Sequence, residues 1–153
     1  MSLINDRLKQ LNIVLPPAPA PAANYVPYVK SNKLIFVSGQ IPMLNGELVT
    51  GKIGKNIEIE DAKTAARLCG LAIVSQLNEA TDLDLDKIKR IIKLGGFVNC
   101  IDEFTQQPEI INGASDLMVE VFGDKGKHSR FAVGTNSLPR NVVVEIEAVA
   151  EIH

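Results

Sequence analysis

The residues best suited to chemistry gather near the C-terminus: Arg130 on one side and the glutamates Glu145 and Glu147 on the other. A guanidinium is permanently charged and offers a planar fork of donors, which suits bidentate capture of a carboxylate. A glutamate whose pKa is lifted by partial burial can orient a water or carry a proton. Together these groups would hold a small acid and bring water to it. Phe131–Thr135 and Val142–Ile152 read as strands, and the turn-rich Asn136-Ser137-Leu138-Pro139-Arg140-Asn141 between them reads as a hairpin loop. With Phe131 and Val133 assigned to the helix-covered side, Arg130 and Ala132 point to the opposite one. The expected register then sets Arg130 across from Glu145 or Glu147, on the face that no helix covers. The plain alternative is a wet cross-strand ion pair, worth about 0.5 kcal/mol. Val143 and Val149 share the glutamates' face and argue against it. They imply that another subunit covers this face, and covered charges need a partner or a purpose.

Other constellations are weaker. His128, in the loop Gly-Asp-Lys-Gly-Lys-His, reads as a loop or interface residue. His153 is the only other histidine, so a ribonuclease-like histidine pair is not expected. No Ser-His-Asp grouping, P-loop or Gly-x-Gly-x-x-Gly stands out. Cys69 and Cys100 form neither a Cys-x-x-Cys nor any zinc-type spacing, so both read as reduced core residues and no metal site is expected. The net charge of −2 and scattered Lys and Arg are a poor footprint for nucleic acid, whose affinity needs a clustered basic surface. The opening MSLINDRLKQ lacks the apolar stretch of a signal peptide, and no segment is long and apolar enough to span a membrane. A cytoplasmic protein is the expectation.

The elements that must position these residues follow from periodicity. A length of 153 residues suits a single domain, residues 1–153, with material for one core. Residues 1–21 divide from the rest. Leu3, Ile4, Leu8 and Leu11 have helical spacing, and Pro16, Pro17, Pro19 and Pro21 then impose an extended strap lying on the body. The core, 22–153, begins with two short β runs, Val26–Val29 and Leu34–Val37, around a turn at Ser31-Asn32. Gly39 suggests a bulge or a close approach to the backbone. Residues 43–58 read as a loop with another hairpin arm. From Glu60 to Ala80 small apolar residues form a stripe fit to pack on a sheet. Ile88–Cys100 reads as a strand with a bulge at Gly95-Gly96, and a second helix runs from Pro108 to a stop at Gly123. The order β-β-α-β-α-β-β gives an α+β mixed sheet with two helices on one face.

Ser38-Gly39-Gln40-Ile41-Pro42, Arg130, Leu138-Pro139 and Val144-Glu145-Ile146-Glu147-Ala148 together resemble the RidA/YjgF family of enamine/imine deaminases, over roughly residues 22–152. The resemblance implies a chorismate-mutase-like fold assembled into a homotrimer with clefts between subunits. It implies hydrolysis of 2-aminoacrylate-type imino acids, released by pyridoxal-phosphate enzymes, to 2-oxo acids and ammonia, without a metal or cofactor. It further implies that Arg130 binds the substrate carboxylate, that the Ala132 backbone assists and that Glu145 positions the water. Tyr25 and Gly39 would line the cleft, and Ser115 would stand near the place of a cleft asparagine. The chain departs from the well-known members in having His128-Ser129-Arg130-Phe131-Ala132 where they have Pro-Ala-Arg-Ser-Cys. The N-terminal helix and strap are also additional, which marks a longer subgroup. A metabolite-binding or regulatory protein on the same scaffold is the alternative. A ribonuclease or translation inhibitor is the third reading, disfavoured by the acidic charge.

Overall fold

A computed structural model describes residues 2–153; Met1, the first residue of the expected N-terminal segment, lies outside the described residues. In chain order the elements are α1 (Leu3–Gln10), β1 (Tyr28–Ser31), β2 (Leu34–Gln40), β3 (Met43–Leu44), β4 (Glu47–Leu48), α2 (Ile59–Ala80), β5 (Ile88–Asn99), α3 (Gln107–Phe122), β6 (Ser129–Thr135) and β7 (Val144–Ile152). Strands β1-β2-β7-β5-β6 form one sheet in that order, and β3-β4 is a separate small hairpin. Helices α2 and α3 pack against each other and cover one face of the sheet. The α+β arrangement expected from periodicity is the one observed.

Small residues let the helical layer close. Gly70 of α2 lies where a Cβ would stand 2.9 Å from Leu117 of α3, and Ala62, Ala65, Ala66 and Cys69 are fully buried on the same stripe. Helix α1 begins where Ser2 Oγ accepts from the Asn5 N–H, while Asp86 accepts from Leu3 and Ile4 at 2.8 and 2.9 Å. Partners are thus supplied for donors that a helix start leaves orphaned. The Pro/Ala strap lies on the body as expected: Ser75 Oγ donates to the Pro16 carbonyl at 2.8 Å, and Gln76 Nε2 to that of Pro19 at 2.7 Å.

The expected terminal hairpin does not form. Strand β6 lies at the sheet edge, parallel to β5, with α3 as the crossover that a parallel pair requires. Strand β7 instead inserts between β2 and β5, antiparallel to both. Burial explains the choice. Val144, Ile146, Ala148 and Ala150 are all buried, and so apolar a strand is better sheltered at the centre than at an edge. Strands β6 and β7 stand two strand spacings apart, about 10 Å, which the connection over 136–143 spans easily. Asn99 fastens that connection, its Nδ2 donating to the carbonyl of Val142 and to Asn141 Oδ1.

The Gly95-Gly96 pair is not the expected bulge either. Both pair regularly with Glu147 and Ile146, and the register slips of β5 lie nearer its start, between Ile88 and Arg90 and between Ile91 and Lys93. These glycines are small because both faces are crowded. A Cβ at Gly95 would lie 2.7 Å from the Phe131 ring, and one at Gly96 would lie 2.6 Å from Ile111. In β2 the slip falls between Val37 and Gln40, around Gly39, where the sequence places it.

Candidate active site

Glu145 stands in the middle of the sheet, opposite Phe97, on the face away from the helices. The irregular stretch around Gly39 in β2 brings that glycine beneath it. A Cβ on Gly39 would overlap Glu145 Oε1 and come within 3.1 Å of its Cδ, so the absent side chain leaves the room that the carboxylate occupies. Glu145 is half-buried, and among the described residues no hydrogen bond or ion pair engages its carboxylate. Burial alone pushes its pKa above the ordinary glutamate value. Hydrogen-bond donors would pull it back down, and they are missing.

Tyr25 is held over the same place. Ser38 Oγ donates to the Val26 carbonyl at 2.7 Å, and the Ser38 N–H donates to that of Pro27 at 2.9 Å. The Tyr25 hydroxyl accepts from the Ala22 N–H at 3.2 Å, closing the end of the strap. Tyr25, Ser38, Gly39 and Glu145 therefore line one cavity of about 570 Å³, walled by Pro19–Ala23 of the strap and by Pro139 and Arg140. A neighbouring hollow of about 370 Å³, lined by Phe97, Leu138 and Glu147, shares Gly39 and Glu145 and opens on the uncovered face.

Arg130 is elsewhere. The expected parity is inverted: Phe131 lies on the uncovered face, edge-to-face with Phe97 at 5.3 Å, while Arg130 turns towards α3. Alternation carries Ala132 to the helix side with it, where it packs against the core. The physical reason is that the uncovered face carries its own apolar partner for Phe131, the Phe97 ring, so Phe131 needs no helix. Arg130 Nη1 donates to Ser115 Oγ at 3.0 Å and Nη2 to the Pro108 carbonyl at 3.2 Å. Ser115 Oγ lies 2.9 Å from His128 Nε2, and His128 Nδ1 lies 2.6 Å from the Gly126 carbonyl oxygen. The Thr135 carbonyl accepts from Cys100, so alternation turns the Ala132 N–H to the free edge of the sheet, beside Arg130.

The residues named from sequence thus fall into two groups. Tyr25, Gly39 and Glu145 meet at one cavity; Arg130, Ser115 and Ala132 meet at the sheet edge. The groups do not meet in one chain. Arg130 pairs with Leu94 and Glu145 with Phe97, on either side of β5. Two strand spacings and three residues of rise separate them by roughly 14 Å, and their side chains leave opposite faces.

Two residues escaped the sequence reading. His128, assigned to a loop or interface, is bonded to Ser115; its spacing of two from Arg130 was the available signal, since both then face one way along the strand. Arg140 lines the Glu145 cavity from a left-handed backbone position, φ 55°, which few non-glycine residues adopt.

Residues 5–152 match the family described as "YjgF/chorismate mutase-like, putative endoribonuclease". The chain belongs to the YjgF/chorismate mutase-like family. Protein TCP17 of Trypanosoma cruzi is 45% identical over 148 residues, covering 95% of this chain and 92% of that one. Among solved structures, the Agrobacterium tumefaciens protein Atu1372, described as of unknown function, is 48% identical, with 98% and 92% of the two chains covered and a TM-score of 0.91. E. coli TdcF, solved with bound serine, is 25% identical over 89% and 94% of the two chains, with a TM-score of 0.60. These YjgF-type relatives share the α+β, chorismate-mutase-like architecture. No described helix is long and apolar enough to cross a membrane.

Proposed function

We propose that this YjgF-family chain hydrolyses small carboxylate-bearing enamines and imines, of the 2-aminoacrylate type, to 2-oxo acids and ammonia. One observation carries the reading: a guanidinium and a half-buried carboxylate that the fold keeps apart, neither paired with an opposite charge among the described residues. The guanidinium suits a substrate carboxylate, and the carboxylate suits a proton.

The chemistry then asks little of the protein. Arg130 takes the substrate carboxylate, with the Ala132 N–H as a second donor, and so fixes the position of the imine carbon. Glu145 accepts a proton from water as the water oxygen bonds to that carbon and the π electrons move to nitrogen. An enamine enters as its imine tautomer. Glu145 returns its proton to the nitrogen. The hydroxyl proton of the addition product then passes through the same carboxylate to the nitrogen as the C–N bond breaks and the C=O forms, and ammonia and the 2-oxo acid leave. Tyr25, Gly39 and Ser115 line the walls. The serine held by TdcF is a ligand of the same class, a small amino acid with a carboxylate.

Such a site needs both groups, so it is closed between copies of the chain, in a homotrimer. The uncovered sheet face supports this. Val29, Phe36, Phe97 and Val133 are exposed on it around Val149 and Phe131, an apolar patch of the kind that marks an interface. The substrates would come from pyridoxal-phosphate enzymes in the cytoplasm that release enamines by elimination.

The test couples the protein to a serine dehydratase and follows ammonia release. The wild type is expected to accelerate it, and Arg130→Ala to lower kcat/KM by about 100-fold or more. An unaltered rate with every enamine tried, alongside tight binding of 2-oxobutanoate, would establish the alternative of a metabolite-binding protein. RNA is expected to remain intact in the same preparations.

A further inference from the structure

We infer that His128 is a positioning residue for the Arg130 anchor, acting by accepting the hydrogen bond of the Ser115 hydroxyl. The inference rests on the reading of Arg130 as a carboxylate anchor and adds a part to it.

Proton bookkeeping gives the hydrogen bonds a direction. The partner of His128 Nδ1 is the Gly126 carbonyl at 2.6 Å, and a carbonyl only accepts. Nδ1 therefore carries the hydrogen. In the neutral ring Nε2 is then bare, an acceptor, and the group 2.9 Å from it is Ser115 Oγ. Ser115 must donate its single proton there. Its oxygen is left with lone pairs only, and one of them receives Arg130 Nη1 at 3.0 Å. The relay runs one way, from guanidinium to serine to imidazole, and the imidazole is tethered to the backbone. With the Pro108 carbonyl at 3.2 Å as a second clamp, the guanidinium is held at two corners and keeps further N–H groups for a ligand.

Ser115 contrasts with the hydroxyls of the other long helix. A serine or threonine in a helix commonly donates to the carbonyl four residues back. Thr64 does so to Glu60 at 3.1 Å and Thr81, capping α2, to Leu77 at 2.8 Å. Ser115 makes no such bond to Ile111 and directs its proton to His128 instead. Without the imidazole, the ordinary local bond would recapture the hydroxyl and turn its oxygen away from the geometry that Arg130 uses.

The experiment measures 2-oxobutanoate binding by calorimetry on the full chain and reads the His128 ring nitrogens by NMR. Asparagine at 128 can keep the bond to Gly126 but is too short to reach Ser115. Glutamine reaches Ser115 and can accept its hydrogen bond. We expect Ser115→Ala and His128→Asn each to weaken binding by about five- to tenfold, with the double variant no worse than either single one. His128→Gln should restore affinity to within about twofold of wild type, because the relay needs only an acceptor. In the wild type Nδ1 should be the protonated nitrogen. Wild-type affinity in both Ser115→Ala and His128→Asn, with Arg130→Ala abolishing binding, would overturn the relay while leaving the anchor standing. A proton on Nε2 would overturn it as well. Undiminished binding in Arg130→Ala would instead refute the anchor itself. Alanine is a good helix former, so Ser115→Ala keeps the test decisive if a His128 variant fails to fold.

Discussion

Arg130 is bonded to a serine and a backbone carbonyl and is backed by His128 from its own end of the chain, whereas Glu145 lies half-buried over Gly39 with no partner among the described residues. One centre is fixed by hydrogen bonds and the other has none. The contrast matches the two tasks. An anchor works by fixed geometry, and hydrogen bonds supply that without altering a charge that never titrates. A base works by holding a proton at the right strength, and each donor placed on a carboxylate weakens it.

Removing the charge at Glu145 should separate these tasks most sharply. Glu145→Gln is expected to lower kcat by about 100-fold with little change in KM, because the anchor is intact. The same variant should be more stable than wild type near neutrality. A folded-state pKa raised above the ordinary 4.5 means that native stability is lost as pH rises through that window, and glutamine removes the loss. The gain in Tm, screened because the group is half-exposed, should be about 1–3 °C at pH 7 and vanish below pH 4.5. A thermal melt at both pH values checks it. Wild-type activity should correspondingly fall on the acid side as Glu145 takes its proton.

Gly39→Ala probes the same centre more gently. The new Cβ would overlap Glu145 Oε1, yet Gly39 does not have a positive φ and the obstructed atom ends a flexible side chain. The carboxylate should shift while the fold persists. A fall in kcat of about tenfold with an unchanged Tm is expected, and steady-state kinetics beside a melt would show it. A loss of stability without loss of rate would place Gly39 among structural glycines.

The smallest effect on catalysis should come from Asp86, far from either centre. It receives the Leu3 and Ile4 N–H groups at the start of α1; burial works to raise its pKa, but those bonds outweigh it and hold the carboxyl below 3.8. Asp86→Ala should cost about 1 kcal/mol, or about 2–4 °C in Tm, and expose residues 2–23 to protease with kcat/KM unaltered. The sign of the pH effect is opposite to that of Glu145. Stability from Asp86 is present above 3.8 and disappears as pH falls through its lowered pKa.

Much of this architecture is written locally. The stripe Ala62-Ala65-Ala66-Cys69 suits a closely packed helix face, and Gly39 by its type suggests the bulge or close approach that β2 shows. Pairing was not local. The turn-rich Asn136–Asn141 segment has the composition of a hairpin loop, and nothing in it tells that the chain steps over β5. Parity failed at Phe131 for a related reason. Alternation says which residues share a face, not which face is covered, and here both faces carry apolar residues.

The chain's own residues determined the elements, the family signature and the chemical types at the site: a permanent cation at Arg130, a titratable acid at Glu145, a glycine at 39. These depend on side-chain identity and on contacts a few residues away. Tertiary structure decided what those types can do together. By inserting β7 between β2 and β5 it set Arg130 and Glu145 on opposite faces and about 14 Å apart, and by folding α3 over the sheet edge it brought Ser115 to Arg130 and His128. Strand order is set by which arrangement buries the most apolar surface among segments distant in sequence, and no local spacing records that balance.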